Sequence, residues 1–175
     1  TYPQFVRNLL FNEKYLKALD RIHDASGDNP MSVAAYISFP RNKDVINALR
    51  LSFCPFDIAN CQQNCSKLSP GQRECDSVHN LFDRDIFIAT LKPKERSELF
   101  RSESPLMGNY GSNRVYFYYL HTGEEIARIE LPEWVAKNSE LLEVSHSIIL
   151  DQCDKGLGFP VSIAEAHEQA VLKTT

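Results

Sequence analysis

Two neighbouring segments rich in aromatic and alternating residues constrain the fold of this chain more than any other feature. Residues 114–121, RVYFYYLH, and residues 124–131, EEIARIEL, flank Thr-Gly at 122–123, a pair typical of a two-residue hairpin turn. In that register Phe117 faces Arg128 across the two strands. The first strand is aromatic or aliphatic on both faces, which predicts a position inside a sheet that is covered on both sides.

The second strand of this hairpin alternates in character. Its two predicted faces are Ile126, Arg128 and Glu130 on one side, and Ala127, Ile129 and Leu131 on the other. A shorter apolar run at 31–38, MSVAAYIS, predicts a further buried strand. Apolar residues at helical spacing predict helices over about 4–25, 42–51, 81–91, 93–100, 139–155 and 161–172.

The size and charge of the chain limit its class. At 175 residues it has room for one domain, and the mixture of helices and strands predicts an α/β or α+β fold with a small sheet. A net charge of −4 gives no global attraction to nucleic acid, although a local basic groove can lie on an acidic protein. No apolar run approaches the length of a membrane span and no secretory signal precedes the first helix, so we expect a cytoplasmic protein without a membrane partner. Glycine-rich phosphate loops and dinucleotide fingerprints do not occur, which leaves ATP and nicotinamide chemistry unsupported.

Four of the five cysteines lie in one polar segment, residues 53–79. Such a segment has few apolar residues to form a core, and four thiolates around zinc can stabilise it instead. Two other interpretations stay open: four free thiols, or disulfides if the protein is extracellular. The candidate metal ligands are Cys54, Cys61, Cys65 and Cys75.

Three charged residues of the hairpin are candidates for a site centred on the sheet. Glu125 and Glu130 are carboxylates that can bind divalent cations and position water for attack on a phosphodiester. Arg128 can contact phosphate, or it can stack on Phe117.

His167 lies in GFPVSIAEAHEQAV, where a Gly-Phe-Pro turn leads into a helix. The following Glu168 invites comparison with the zinc-protease helix motif, but Val171 occupies the place of its second histidine. By helical spacing, His167 shares a face with apolar side chains and can be a histidine partly buried beside the core. His167 can instead be an active-site residue.

Four segments together resemble a known family. They are YFYYL at 116–120, EEIARIELP at 124–132, LDQCDKG at 150–156 and GFPVSIAEAH at 158–167. These follow one another as in the C-terminal half of NurA domain nucleases, especially the bacterial, cyanobacteria-type branch. The resemblance implies a ribonuclease H-like α/β fold with a small mixed sheet flanked by helices, and manganese-dependent cleavage of DNA ends and single strands in DNA repair. It also implies a homodimer that works with a HerA-like hexameric ATPase.

The resemblance also bears on the site residues. His167 matches a histidine of the family's closing motif, and Phe159 stands where the family usually has a tyrosine. The metal-binding aspartates of the family lie in Asp-Gly-Ser segments of its N-terminal half, and this sequence contains none. We therefore expect residues 1–175 to be a single domain that is the C-terminal portion of a NurA-like domain. In that interpretation residues 53–79 are an inserted loop, the N-terminal strands are missing, and the chain alone is an incomplete, inactive deoxyribonuclease.

An alternative from another class is a non-catalytic module. In this hypothesis the cysteine segment is stabilised by a metal, and the sheet docks DNA or a protein partner.

Overall fold

The computed structural model describes residues 11, 14–27, 30–69 and 71–171, and most of the predicted helices lie within them. The helix predicted over 4–25 is described from its second half and ends, as predicted, at Ala25; its first residues lie outside the described part. The helix predicted over 139–155 has those bounds, and it begins there because Asn138 caps its first turn by accepting hydrogen bonds from two backbone N–H groups.

The helices of the described residues are Lys17–Ala25 (α1), Asp44–Ser52 (α2), Cys61–Asn64 (α3), Asp83–Thr90 (α4), Glu133–Ala136 (α5), Ser139–Lys155 (α6) and Val161–Ala170 (α7), with short 3-10 turns at Glu74–Val78, Pro105–Asn109 and Gly111–Asn113.

One small sheet organises the described residues. Its strands are Ala35–Ile37 (β1), Phe100–Arg101 (β2), Val115–His121 (β3) and Ile126–Pro132 (β4), in the order β1-β4-β3-β2. All three described pairs are antiparallel, so this sheet is antiparallel rather than mixed. A small sheet flanked by helices is consistent with a ribonuclease H-like kind of α/β fold. Strand β1 is a three-residue edge strand that is partly exposed, and it is shorter and less buried than the run at 31–38 predicts.

The β3–β4 hairpin forms as predicted but in another register. Phe117 pairs with Glu130, and Arg128 pairs with Tyr119. The shift arises because the loop holds four residues, closed by a hydrogen bond of 2.9 Å from the backbone N–H of Thr122 to the carbonyl of Glu125. Since side chains alternate with a period of two, a shift of two positions leaves every side chain on its predicted face.

Both faces of the hairpin are covered, which confirms the prediction for the first strand. On one face, Tyr118 and Ile129 belong to a core that includes Leu141 and Leu142 of α6. On the other face, Phe117, Tyr119 and Ile126 pack with Phe87 of α4.

The prediction of a helix over residues 93–100 is wrong. The backbone of this segment pairs with the outer edge of β3: Lys94 N–H donates to the carbonyl of His121 at 2.7 Å, and Ser97 N–H donates to that of Tyr119 at 2.8 Å. Strand β2 continues the same pairing. Hydrogen bonds to a neighbouring strand therefore override the local helical spacing.

No helix within the described ranges combines the length and the apolar character that crossing a bilayer requires.

Candidate active site

A buried carboxylate lies where β4 begins. Glu125 is 5% exposed, and the described hydrogen bonds to its carboxylate come from Tyr36 of β1 and from the two residues that follow this strand. The Tyr36 hydroxyl donates to it at 2.7 Å, and the backbone N–H of Phe39 donates at 2.9 Å. The Ser38 hydroxyl lies 2.8 Å from one carboxylate oxygen and 2.9 Å from the other. Glu125 thus fixes the backbone that follows β1, and its catalytic role stays a prediction.

Tyr36 connects this carboxylate to the Gly-Phe-Pro turn. Its ring packs edge-on against Phe159, with ring centroids 5.4 Å apart. Its hydroxyl also lies 3.4 Å from the carbonyl of Gly158. Burial and the hydrogen bond to Glu125 raise the pKa of Tyr36 far above its usual value, so the phenol keeps its proton and remains a donor. Tyr36 therefore joins Glu125 to the turn that contains Phe159, whose role in binding a substrate stays a prediction.

Gly158 brings the turn close to the hairpin loop. Its φ is +95°, in the region that favours glycine, and a Cβ added there would lie 2.6 Å from Cγ of Glu124. The turn after α6 and the loop before β4 therefore meet at a contact that only a glycine permits.

His167 lies on α7, the helix that this turn begins. The helix follows the buried Pro160, and the backbone N–H of Ser162 donates to the side chain of Gln152 on α6. His167 is exposed, so its interpretation as a histidine partly buried beside the core is wrong. An exposed imidazole is available for contact with a substrate, and that role stays a prediction.

The two candidate carboxylates of the hairpin do not form a pair. Glu125 immediately precedes β4 and Glu130 lies five positions further along the chain, a distance of about 17 Å in an extended strand. The carboxylates of a shared metal site must approach the same ion within about 2.6 Å. Glu125 and Glu130 of one chain therefore cannot bind one ion together.

Arg128 is enclosed by protein groups. Its guanidinium carbon lies 3.5 Å from the centroid of the Phe117 ring, which is the stacked arrangement that the sequence left as one of two possibilities. Its Nε donates to Glu130 at 2.8 Å and one terminal nitrogen to Asp44 at 2.6 Å. The side chain is 4% exposed, so a phosphate contact by Arg128, which stays a prediction, would have to compete with these partners.

A second buried acid joins this network, and sequence reasoning missed it. Asp83 of α4 is fully buried, and it accepts hydrogen bonds from the Tyr119 hydroxyl at 2.6 Å and from the backbone N–H of Ile46 at 2.8 Å. Arg128 in turn donates to the Tyr119 hydroxyl at 3.2 Å. The network thereby fastens α2 and α4 to one face of the sheet. A buried Tyr in an apolar strand is the signal that such a partner is needed.

All four cysteines of residues 53–79 line one cavity of about 170 Å³. They are free thiols, as is Cys153, so the disulfide interpretation has no support in these positions. Burial raises the pKa of Cys65, and the neighbouring Cys61 raises it further. The side chains converge on a shared space without the geometry of a closed metal site.

The arrangement of possible ligands determines whether the described residues can bind a metal ion. In the part of the chain that the structure describes, no group of three or more His, Cys, Asp or Glu side chains is placed to bind a metal ion. Glu125, Glu130 and His167 do not fit a manganese site as they stand, and no catalytic step through such an ion follows from them.

Comparison with known proteins relates the chain to a protein family. The model of one protein family, described as NurA domain, matches residues 7–172. No curated protein and no solved structure gives a significant match. Because the match extends over essentially the whole chain, the expectation that the chain is only the C-terminal part of such a domain is not borne out.

Proposed function

The chain belongs to the NurA domain family, and from this premise we propose that it is a metal-dependent deoxyribonuclease that cleaves DNA ends and single strands. Membership of the family supports a nuclease-type function with DNA as a partner, and the family is generally metal-dependent. The choice of ends and single strands, the role in DNA repair and the use of manganese rest on the sequence resemblance.

One structural observation supports the proposal that His167 is a catalytic residue. His167 is exposed on a helix whose start is fixed to the buried Glu125 through Tyr36 and the Gly158 turn. His167 lies six positions after Val161, so it is about 9 Å along the helix from this anchor. A helix that is anchored at its start and presents an exposed imidazole suits a general acid that protonates the leaving oxygen.

The arrangement of acidic groups favours a second candidate function. The described residues bring together no group of three metal ligands, and Glu125 and Arg128 are both engaged with protein partners. A module that binds DNA or a protein partner without cleaving it would need no such group. This candidate predicts DNA binding without strand cleavage.

The resemblance extends the proposal to assembly. We propose a homodimer that acts with a HerA-like hexameric ATPase on DNA ends in the cytoplasm. Sedimentation of the purified chain, alone and with such an ATPase, tests both associations; a monomer that does not bind the ATPase contradicts them.

Cleavage of end-labelled single-stranded and duplex DNA separates the two functions. Wild-type chain, His167→Ala and Glu168→Ala are compared in Mn²⁺, in Mg²⁺ and in EDTA. Glu168 is the exposed neighbour of His167 and serves as the matched control. We expect cleavage only with a metal, a rate lower by roughly 10²-fold or more in His167→Ala because general acid catalysis is lost, and a nearly unchanged rate in Glu168→Ala.

The results assign the function directly. DNA binding without cleavage in any metal favours the non-catalytic module. Cleavage by His167→Ala at the wild-type rate would leave the nuclease in place and remove His167 from its site.

A further inference from the structure

A solvent-exposed aromatic ring lies two residues after the end of β1. Phe39 is 63% exposed, and its φ is +43°, a left-handed conformation that is uncommon for any residue other than glycine. The next residue is Pro40, and a following proline further disfavours helical backbone conformations. Strain of this kind persists only where the surrounding structure enforces it, and it is concentrated at functional sites.

The backbone of Phe39 is held on both sides. Its N–H donates to the carboxylate of Glu125 at 2.9 Å, and its carbonyl accepts a hydrogen bond of 3.3 Å from Arg84. Pro40 is fully buried and anchors the chain beyond it. The exposed ring is therefore presented by a fixed backbone, which reduces the conformational entropy lost when a ligand packs on it.

Arg84 connects the backbone of Phe39 to a second aromatic ring and a further cation. Arg84 links the two rings, because it binds the Phe39 carbonyl and its guanidinium carbon lies 5.3 Å from the centroid of Phe82. The Lys43 ammonium lies 5.0 Å from the same centroid, and Arg41 is exposed two residues beyond Phe39. We call these five residues the Phe39 patch: Phe39, Arg41, Lys43, Phe82 and Arg84.

The charge of the Phe39 patch is opposite to that of the chain. Three cations lie near one carboxylate at the surface, Asp85, whose oxygen lies 3.8 Å from Nε of Arg84. The Glu125 carboxylate, which binds the Phe39 N–H, is buried. The adjacent Asp44 is bound to the buried Arg128. A local positive surface on a chain of net charge −4 attracts an anionic ligand selectively to this place.

We propose that the Phe39 patch binds a DNA single strand, with an unpaired base stacked on the ring of Phe39 and its flanking phosphates near Arg41 and Arg84. Aromatic rings within a positive surface are the elements that bind single strands without reading their sequence, because every base has a stacking face. This inference rests on the proposed function, since it names how the DNA of that function is held. A purely apolar protein partner would supply no negative charge to these cations, of which Arg84 alone has a carboxylate partner among the described residues, Asp85.

Equilibrium binding in EDTA tests the inference without any need for cleavage. Fluorescence anisotropy is measured with labelled oligo-dT and with an abasic oligonucleotide of equal length, which keeps the phosphates and lacks the bases. The variants are Phe39→Ala, Phe39→Tyr and Arg41→Gln. Phe56→Ala is the control, because Phe56 is an exposed phenylalanine of the cysteine segment. Thermal melting confirms that each variant is folded.

Each variant has a distinct expected result. Phe39→Ala binds oligo-dT roughly tenfold more weakly and binds the abasic strand as wild type does, because it loses only base stacking. Phe39→Tyr and Phe56→Ala bind both strands as wild type does. Arg41→Gln weakens both and lowers the slope of log affinity against log salt by about 0.7, the value for one phosphate contact on a single strand.

Other outcomes overturn the inference. Unchanged oligo-dT binding by Phe39→Ala, or an equal loss for both strands, removes the stacked base. A Phe39→Ala variant that instead changes the oligomeric state assigns the ring to contacts between copies of the chain. If the wild-type chain binds neither strand, the proposed function fails together with this inference; if it binds and Phe39→Ala binds equally, only this inference fails.

Discussion

Tyr36 donates a hydrogen bond of 2.7 Å to Glu125 while its ring lies edge-on against Phe159. A single residue of an edge strand therefore joins the hairpin loop to the turn that begins α7. The position of His167 relative to the sheet depends on this connection.

Tyr36→Phe is expected to destabilise the fold by about 2 kcal/mol, because a buried carboxylate loses one of its hydrogen-bond donors. Urea unfolding measures the change. Tyr118→Phe is the matched control: the Tyr118 hydroxyl is buried and has no hydrogen-bond partner among the described residues, so its removal is expected to cost little. Equal losses in the two variants would show that the Tyr36–Glu125 bond contributes no specific stability.

Arg128→Met is expected to lower the free energy of unfolding by about 3 kcal/mol, since Asp44 and Glu130 lose their common partner and Phe117 loses a stacked cation. Both carboxylates are partly exposed, which places the cost at the lower end for a buried ion pair. Arg101→Met removes an exposed ion pair with Glu103 and is expected to cost less than about 1 kcal/mol. Similar unfolding curves for the two variants would contradict the structural role of Arg128.

His146 makes the stability depend on pH. Burial lowers the pKa of His146, and the nearby Arg96 lowers it further, while Glu143 acts in the opposite direction. Its ring lies 5.9 Å from that of Tyr118, and its buried Nδ1 has no hydrogen-bond partner within the described ranges. The folded state therefore binds this proton less readily than the unfolded chain does. The resulting contribution to stability is complete above the unfolded pKa of about 6.5 and is lost as the pH falls below it.

Replacing His146 by Gln removes this titrating group. The wild-type chain should lose more unfolding free energy than His146→Gln when the pH is lowered from about 7.5 to about 5.5, across the ordinary histidine pKa. Urea unfolding at the two pH values measures these free energies. Equal losses of unfolding free energy in wild type and His146→Gln would assign the pH dependence to other groups.

Zinc at the four cysteines stays a prediction that elemental analysis decides. The thiols of Cys54, Cys61, Cys65 and Cys75 line one cavity, and rotation of the side chains into it would bring them toward a shared ion. We expect near-stoichiometric zinc in the purified chain and its loss in Cys61→Ser. Cys153→Ser is the control, because Cys153 is buried elsewhere, beside Tyr36. Purified protein with neither zinc nor iron would leave the free-thiol interpretation.

The faces of the hairpin were predictable from the sequence, whereas its register was not. Alternation along 126–131 assigns each side chain to a face regardless of its exact partner, so a shift of two positions leaves that assignment intact. The register depends on the loop, where the hydrogen bond between Thr122 and Glu125 closes four residues instead of two. The failed helix over 93–100 has a related cause, since its backbone donors and acceptors are taken by β3.

The candidate residues were found from the sequence more readily than their partners. Glu125, Arg128 and His167 are conspicuous as charged or titratable residues beside apolar segments. Tyr36 and Asp83 are not, because their importance arises from contacts between segments far apart in the chain. A tyrosine inside an apolar run indicates a core position and does not reveal which carboxylate its hydroxyl will meet.

The contact between Gly158 and Glu124 has a consequence for how this chain can change over evolutionary time. A side chain at 158 would collide with the stem of Glu124, and the positive φ there penalises every residue but glycine. A shorter side chain at 124 does not remove the collision, because the Cβ of residue 124 would itself lie 2.7 Å from the added Cβ, and the backbone penalty at 158 also remains. Related sequences should therefore vary freely at 124 while 158 stays glycine, and a lineage that loses this glycine should also have rebuilt the turn that begins α7.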